Sequence, residues 1–83
     1  MNFDIDCLRT FSLVTETMSF SRTAERVGRS QSAVSQQVSR LEGQVGAQLF
    51  SRRKGRILKL THDGARLLQY ANQILRLNDE AYS

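Results

Sequence analysis

The fold is decided by the stretch Ser30-Gln31-Ser32-Ala33-Val34-Ser35-Gln36-Gln37-Val38-Ser39-Arg40-Leu41. Val34, Val38 and Leu41 recur at helical spacing, which predicts a helix over residues 31–45 with one narrow apolar stripe that ends at Val45. The opposite face carries small or amide side chains and one arginine, namely Ser32, Gln36, Ser39, Arg40 and Gly43, flanked by Ala33 and Ser35. Such a face leaves the helix slim enough to enter a groove.

Two further helices are predicted upstream. Ser19 and Ser21 supply hydroxyls at the start of a short helix from about Ser21 to Val27, and Gly28 suits its left-handed end. Ser30 can cap the next helix, so the two helices form a helix-turn-helix candidate. A first helix is predicted from about Ile5 to Thr17, with a cap from Asp4 or Asp6 and an apolar series of Leu8, Phe11, Val14 and Met18.

A basic hairpin and a long helix are predicted downstream. A short strand from Leu49-Phe50 leads into Arg52-Arg53-Lys54, Gly55 makes the turn, and Arg56 opens the apolar run Ile57–Leu60. Thr61 can cap a fourth helix that nothing stops before Ser83. The predicted fold is mainly α: a winged helix-turn-helix in residues 1–60, with three helices and a small β-hairpin wing, then a linker helix over residues 61–83.

The fourth helix carries an apolar stripe from end to end. At 1.5 Å per residue it would be about 30 Å long, more than a small core covers. We therefore predict pairing with the same helix of a second chain, through Leu67, Leu68, Ala71, Ile74, Leu75 and Tyr82. The alternative is that the stripe packs on its own domain.

The distribution of charge favours a polyanionic partner. The 83 residues carry a formal net charge of +4, but residues 22–59 contain nine lysines and arginines against two glutamates, a local net charge of +7. Such a basic centre between near-neutral or acidic ends suits DNA, RNA or anionic lipid. No window approaches the roughly 18 apolar residues of a membrane span, and no signal peptide is visible, so we expect no membrane partner.

Each part of the pattern has a matching role on DNA. In the major groove, glutamine pairs with adenine, arginine with guanine, and an alanine methyl touches thymine, so the predicted base readers are Ser32, Ala33, Gln36 and Arg40. Hydroxyls and amides near helix starts suit phosphates, which predicts positioning contacts from Ser21, Arg22, Ser30, Gln31, Ser35 and Ser39. The wing contacts are predicted at Arg52, Arg53, Lys54 and Arg56. The alternatives are that the serines only cap helices and that the hairpin is only a solvated surface.

No constellation for catalysis or metal binding is visible. His62 and Cys7 are each the only residue of their type, and they lie far apart in sequence. A metal site or a nucleophile with its base needs a cluster of such groups. We expect neither an enzyme nor a cofactor, and we interpret Cys7 as a small core residue that fits a reducing cytoplasm.

Beyond these patterns, the sequence resembles the LysR-type transcriptional regulators over essentially its whole length. The resemblance is carried by the segments Leu8–Phe11, Ser19–Val27, Ser30–Val38, Leu41-Glu42 and Val45–Phe50, together with Arg52, Leu60-Thr61 and Gly64. The run Gln31–Gln37, with Asn78–Ala81, looks closest to the branch that regulates motility and virulence.

The resemblance implies a dimer, or a dimer of dimers in the full-length protein, whose fourth helices pair antiparallel. It implies binding to an interrupted palindrome in promoter DNA, with the third helix in the major groove and the wing in the adjacent minor groove. Members of the family continue into an effector-binding domain of periplasmic-binding-protein type, which this chain lacks. We therefore expect a DNA-binding fragment of a cytoplasmic bacterial regulator, with any small-molecule effector bound by the missing domain.

Two departures from the family pattern affect the site. Many members have proline where this chain has Ser32, and serine adds a donor and an acceptor at the first turn of the recognition helix. The interval from Phe50 to Thr61 also looks about one residue longer than usual, which affects the tip of the wing.

Two other functions compete with a sequence-specific regulator. A non-specific architectural DNA binder would show little preference between sequences and an affinity governed by counterion release. The polar face of the third helix, which lacks lysine, argues against it. A protein-interaction module would dimerise through the last helix and present its basic face to an acidic partner. It would not bind DNA at moderate salt.

Overall fold

The computed structural model describes residues 2–83. In that range it contains α1 (Ile5–Thr17), α2 (Phe20–Val27), α3 (Gln31–Val45), β1 (Phe50–Arg53), β2 (Arg56–Leu60) and α4 (His62–Tyr82). The predicted winged helix-turn-helix with a long terminal helix is confirmed. Helix α2 begins one residue earlier than predicted, because Ser19 caps it by accepting from the Arg22 amide at 3.2 Å.

The helix ends follow the local chemistry of the sequence. Ser30 Oγ accepts from the Ala33 amide at 3.1 Å, and Thr61 Oγ1 accepts from the Gly64 amide at 2.9 Å. Helices α2 and α3 end on left-handed glycines, whereas α1 ends on Met18 at φ 54°. These caps satisfy backbone groups that a helix end otherwise leaves without partners.

Helix α1 lies at the centre of the core. Its fully buried Leu8, Phe11 and Val14 belong to one cluster with the predicted stripe of α3, of which Val34, Val38 and Leu41 are buried. The buried part of this stripe ends at Leu41, one turn sooner than predicted, since Val45 is 37% exposed. Cys7 is buried, as predicted.

Polar pairs fix the helices of the core against one another. Thr10 Oγ1 donates to Gln37 Oε1 at 2.7 Å and so joins α1 to α3. The hydroxyls of Thr17 and Thr23 lie 2.8 Å apart and join α1 to α2. Both hydrogen bonds lie at the edge of the apolar core. They align α1, α2 and α3 without placing a charged side chain inside the core.

The wing is a two-residue hairpin. Lys54 and Gly55 both have positive φ, 52° and 77°, the combination of a type I′ turn that suits the right-handed twist of paired strands. Arg53 pairs with Arg56 and Arg52 with Ile57, but Ser51 pairs with Lys59, so Leu58 is an extra residue in β2. The extra length of the wing relative to the family pattern stays a prediction, and Leu58 is the bulged residue within it.

The burial of α4 corrects part of the dimerisation prediction. Leu67, Ala71 and Leu75 are 7%, 0% and 8% exposed and belong to the core of their own domain, the alternative left open above. Because α4 packs against α1 and these three side chains are buried within one chain, they are not available to a second chain. Leu68 and Ile74 are half-buried at the edge of the core, and Tyr82 is 88% exposed.

A second apolar stripe lies beside the buried one on α4. Tyr70, Ile74, Leu77 and Ala81 follow one another at i, i+4, i+7 and i+11, and Tyr70 and Leu77 are 54% and 60% exposed. The helix is held on α1 at its far end by the Arg9–Asp79 ion pair, at 2.9 Å. One face of α4 therefore serves the core and a neighbouring face stays in solvent.

Candidate nucleic-acid interface

The outer face of α3 has the predicted exposure. Ser32, Gln36, Ser39 and Arg40 are exposed, and the flanking Ala33 and Ser35 are half-buried. At 100° per residue, Ser32 and Ser39 lie on the centre line of this face, with Gln31 and Ser35 to one side and Gln36 and Arg40 to the other. The four predicted base readers thus belong to one continuous helical surface.

The wing borders one side of α3. One surface groove is lined by both the start of α3 and the wing, through Gln31, Ser32, Ser35, Arg52 and Gly55. An adjoining groove is lined by the start of α2 and the wing tip, and its walls include Ser21, Arg22, Gln31 and Arg56. The structure therefore brings phosphate-positioning candidates of both helices next to the wing.

The start of α1 borders the other side of α3. A third groove is lined by Ala33, Gln36 and Arg40 of α3 together with Asp4 and Arg29. The Arg40 guanidinium lies 3.9 Å from the Asp4 carboxylate, whose other oxygen caps α1 through the Asp6 amide. Arg40 is thus held beside a carboxylate, although its side chain remains 64% exposed.

Two serine pairs occupy the starts of α2 and α3. The Ser19 and Ser21 hydroxyls lie 3.1 Å apart, and those of Ser30 and Ser32 lie 3.2 Å apart. In each pair the first serine is the helix cap, which confirms capping for Ser19 and Ser30. The second serine of each pair, Ser21 or Ser32, stays exposed at a helix start, where the helix dipole favours an anion.

The four basic residues of the wing divide into two groups. Arg53, Lys54 and Arg56 are exposed, and within residues 2–83 none of them is part of an ion pair. Arg52 instead pairs with Glu42 at 3.0 Å, and its guanidinium carbon lies 5.3 Å from the centre of the Phe20 ring. Three cations therefore face solvent and one faces the protein.

Glu42 is the residue of the site whose importance the pattern of the sequence did not reveal. Its carboxylate accepts from the Leu49 amide at 2.9 Å and from Arg52 at 3.0 Å, and its side chain is only 13% exposed. Periodicity places Glu42 next to the buried Leu41, but it cannot predict a contact with a hairpin ten residues away. Only its place in the family motif marked it.

Burial sets the chemistry of the one thiol near the site. It raises the pKa of Cys7 above its ordinary value, and the nearby Asp4 carboxylate acts in the same direction. A raised pKa lowers the fraction of reactive thiolate at neutral pH. Cys7 therefore acts as a packing residue below α3.

The described part of the chain has neither a candidate metal site nor a membrane-spanning helix. Residues 2–83 contain no group of three or more His, Cys, Asp or Glu side chains placed to hold a metal ion. Over the same range, no helix combines the length and the apolar character that a membrane crossing requires.

Comparison with known proteins identifies the family. Residues 5–65 match the model described as bacterial regulatory helix-turn-helix protein, lysR family. The chain is 52% identical over 80 residues to the HTH-type transcriptional regulator DgdR of Burkholderia cepacia, covering 96% of this chain and 27% of DgdR. It is 49% identical over 81 residues to the regulator PecT of Dickeya dadantii strain 3937, covering 98% of this chain and 25% of PecT. The chain thus spans about a quarter of the length of these curated relatives.

The fold has a counterpart in a solved DNA complex. The structure described as a BenM_DBD/catB site 1 DNA complex superposes with a TM-score of 0.85 at 33% identity, covering 95% of this chain and 84% of that one. The family model, the curated relatives and the solved structure all match the segment from α1 to the start of α4. The chain belongs to the lysR family of bacterial regulatory helix-turn-helix proteins.

Proposed function

We propose that this chain binds double-stranded DNA sequence-specifically, as the DNA-binding domain of a LysR-type transcription regulator. Helix α3 enters the major groove, where Ser32, Ala33, Gln36 and Arg40 read base edges. The wing cations Arg53, Lys54 and Arg56 lie along the adjacent minor groove. Phosphates are held by the remaining polar positions around the helix starts, namely Ser21, Arg22, Ser30, Gln31, Ser35 and Ser39.

The observation that carries this proposal is the shape and charge of one surface. The slim, exposed face of α3 stands between the basic wing and the start of α1. One surface thus presents the candidate base-reading side chains with the wing cations along one side and Asp4 and Arg29 along the other. A lysine-rich, sequence-independent binder needs no such amide and hydroxyl face. The similar fold of the BenM domain, which was solved as a DNA complex, supports DNA binding by this fold.

We further propose that the chain acts as a homodimer through α4. The second apolar stripe supports this, since Tyr70, Leu77 and Ala81 are exposed and Ile74 is half-buried between them. Tyr82 lies exposed at the end of the helix, and half-buried Leu68 lies beside the core. A two-fold dimer reads two half-sites related by dyad symmetry, so the operator is an interrupted palindrome.

The remaining proposals concern the whole regulator. The relatives are named as transcriptional regulators, which supports a role in transcription and not in catalysis. We propose that the full protein forms a tetramer in the bacterial cytoplasm and binds any small-molecule effector through a further domain. Membership of the motility and virulence branch stays a prediction.

Selection from a pool of genomic DNA fragments at physiological salt tests the function. A shared motif with two-fold symmetry among the bound fragments is the expected result, since it requires both base reading and a dimer. Recovery of unrelated sequences with measurable affinity would favour an architectural binder. No binding at moderate salt would favour a protein-interaction module.

A further inference from the structure

The contacts of Glu42 connect two parts of the proposed DNA-binding surface, the recognition helix and the wing. One carboxylate oxygen accepts from the Leu49 amide, at the entry to the wing, and the other accepts from Arg52 in β1. Glu42 itself lies in the last turns of α3, the recognition helix. The recognition helix and the wing are thus joined by one side chain.

Arg52 extends this connection to α2. Its guanidinium lies over the Phe20 ring, and the Phe20 ring meets the buried Phe50 ring edge-on at a centroid distance of 6.4 Å. A guanidinium over an aromatic face is attracted by the electron-rich ring. Arg52 is therefore fixed by a carboxylate and a ring at once, and its side chain is only 29% exposed.

Building on the proposed DNA binding, we propose that Glu42, Arg52 and Phe20 form a positioning cluster that sets the angle of the wing relative to the recognition helix. In this role Arg52 contributes little direct charge to the phosphates, unlike Arg53, Lys54 and Arg56. The hairpin needs such a support because a two-stranded ribbon is marginally stable by itself.

The cluster predicts that removing a negative charge at Glu42 lowers the affinity for DNA. Glu42→Gln removes a negative charge from a DNA-binding surface, which by charge alone would strengthen binding. The Leu49 amide and Arg52 donate to different oxygens of Glu42, and in glutamine one of these oxygens is replaced by an NH2 group that is itself a donor and would face one of the two donors. We expect the affinity to fall about tenfold, within the range seen for residues that share one hydrogen-bond network.

Glu25→Gln is the matched control. Glu25 is exposed on α2 and is the other acidic residue within the basic segment 22–59. This change alters the net charge equally, so we expect affinity to be unchanged or slightly raised. Phe20→Leu and Arg52→Gln test the other two members, and the double variant Glu42→Gln/Arg52→Gln should lose little more than either single one.

The salt dependence separates positioning from direct contact. Affinities are measured against a synthetic duplex that carries the motif selected by the unaltered chain, over a series of salt concentrations. Arg53→Ala should reduce the salt slope by about one, as expected for a lost phosphate contact. Phe20→Leu should lower affinity with no change in slope, because it removes no charge. Amide relaxation of residues 53–56 by NMR should show a more mobile wing in Glu42→Gln than in Glu25→Gln.

The possible outcomes are distinguishable. If Glu42→Gln binds as tightly as Glu25→Gln and its wing is equally ordered, the positioning cluster is ruled out. If the unaltered chain binds no DNA, the proposed function fails, while the NMR comparison still decides whether the cluster orders the wing. Thermal unfolding of each variant shows whether a loss of affinity is caused by global destabilisation. For a destabilised variant, the NMR comparison is made at a temperature where the variant is folded, and it decides whether the cluster orders the wing.

Discussion

At the scale of single residues, Gly64 is the one glycine of the described chain at which an added methyl group would meet other atoms within 4 Å. A Cβ there would overlap the carbonyl oxygen of Leu49 and lie 2.6 Å from Leu60 Cδ1. The Leu49 carbonyl cannot easily withdraw, because it accepts from the Thr61 amide at 2.9 Å. We expect Gly64→Ala to lower the free energy of unfolding by about 1–3 kcal/mol, measured by urea denaturation.

Gly43 provides the control for that substitution. It lies on the exposed face of α3, and nothing is found within 4 Å of an added Cβ. Gly43→Ala should therefore stabilise the chain by about 0.5–1 kcal/mol, because alanine loses less backbone freedom on entering a helix. Equal losses from the two substitutions would contradict the steric explanation at Gly64.

Arg40 carries the sharpest prediction about base recognition. Arg40→Ala should cost about 1–3 kcal/mol of binding free energy on the selected site and relax specificity at one base position. Gln36→Ala should behave in the same way at another position, whereas Arg53→Ala should weaken binding to all sequences about equally. Competition titrations with selected and random duplexes measure the difference. An equal loss on both duplexes for Arg40→Ala would show that Arg40 does not read a base.

The residues of the candidate surface were predictable because helical periodicity is local. The buried stripe of α3 fixes which side chains point outward, so Ser32, Gln36 and Arg40 could be named from spacing alone. The inward turn of Arg52 could not be predicted, because it depends on the carboxylate and ring that neighbour it in space. Sequence position alone grouped Arg52 with the other wing cations.

At the scale of elements, capping explains why helix bounds were predictable and packing explains where they were not. The bounds of α1 and α3 agree with the prediction, since polar caps begin them and left-handed residues end them. The buried part of α4 was misjudged, because an apolar stripe does not reveal which neighbour covers it. Here α1 covers Leu67, Ala71 and Leu75, and the exposed stripe lies beside them.

The ion pair between α1 and α4 predicts a dependence on pH. Arg9 donates to Asp79 and holds the pKa of that carboxyl below its ordinary value of 3.8. A lowered folded-state pKa stabilises the fold above pH 3.8, and this stabilisation is lost as the pH falls through the folded pKa. Asp79→Asn should thus be slightly less stable than the unaltered chain at pH 7.

Thermal unfolding at several pH values measures that difference. It should shrink toward zero in acid, where the carboxyl of the unaltered chain is itself protonated, and it should also shrink in high salt because the pair is exposed to solvent. A difference that stays constant from neutral to acidic pH would mean that the ion pair is not its origin.

At the scale of the whole molecule, the buried stripe of α4 serves the folding of one chain, and the second stripe serves the dimerisation proposed above. Leu77 lies in the exposed stripe and is not part of the core, so Leu77→Glu should leave the monomer folded while it prevents pairing of α4 with a second copy. Binding to a duplex with two half-sites should weaken roughly 100-fold, because the second half-site no longer gains from tethering. Binding to a duplex with one half-site should not change.

Sedimentation and DNA titration of the same samples test this prediction. Gln69→Glu is the control, since Gln69 is exposed on α4 about 100° around the helix from Tyr70 and gains the same charge. A dimer that survives Leu77→Glu would show that the chains associate through another surface.

Because the core is completed within a single chain, the number of chains in the cell affects how much dimer is present. Because Leu67, Ala71 and Leu75 are already covered by α1, a chain that leaves its partner exposes only the neighbouring stripe and need not unfold. Under the proposed pairing of α4, folded monomers would persist at low abundance, and the amount of dimer would follow the square of their concentration. Under the proposed function, occupancy of a palindromic operator would then rise with the square of the amount of chain at low abundance, more steeply than for a protein that binds DNA as a monomer.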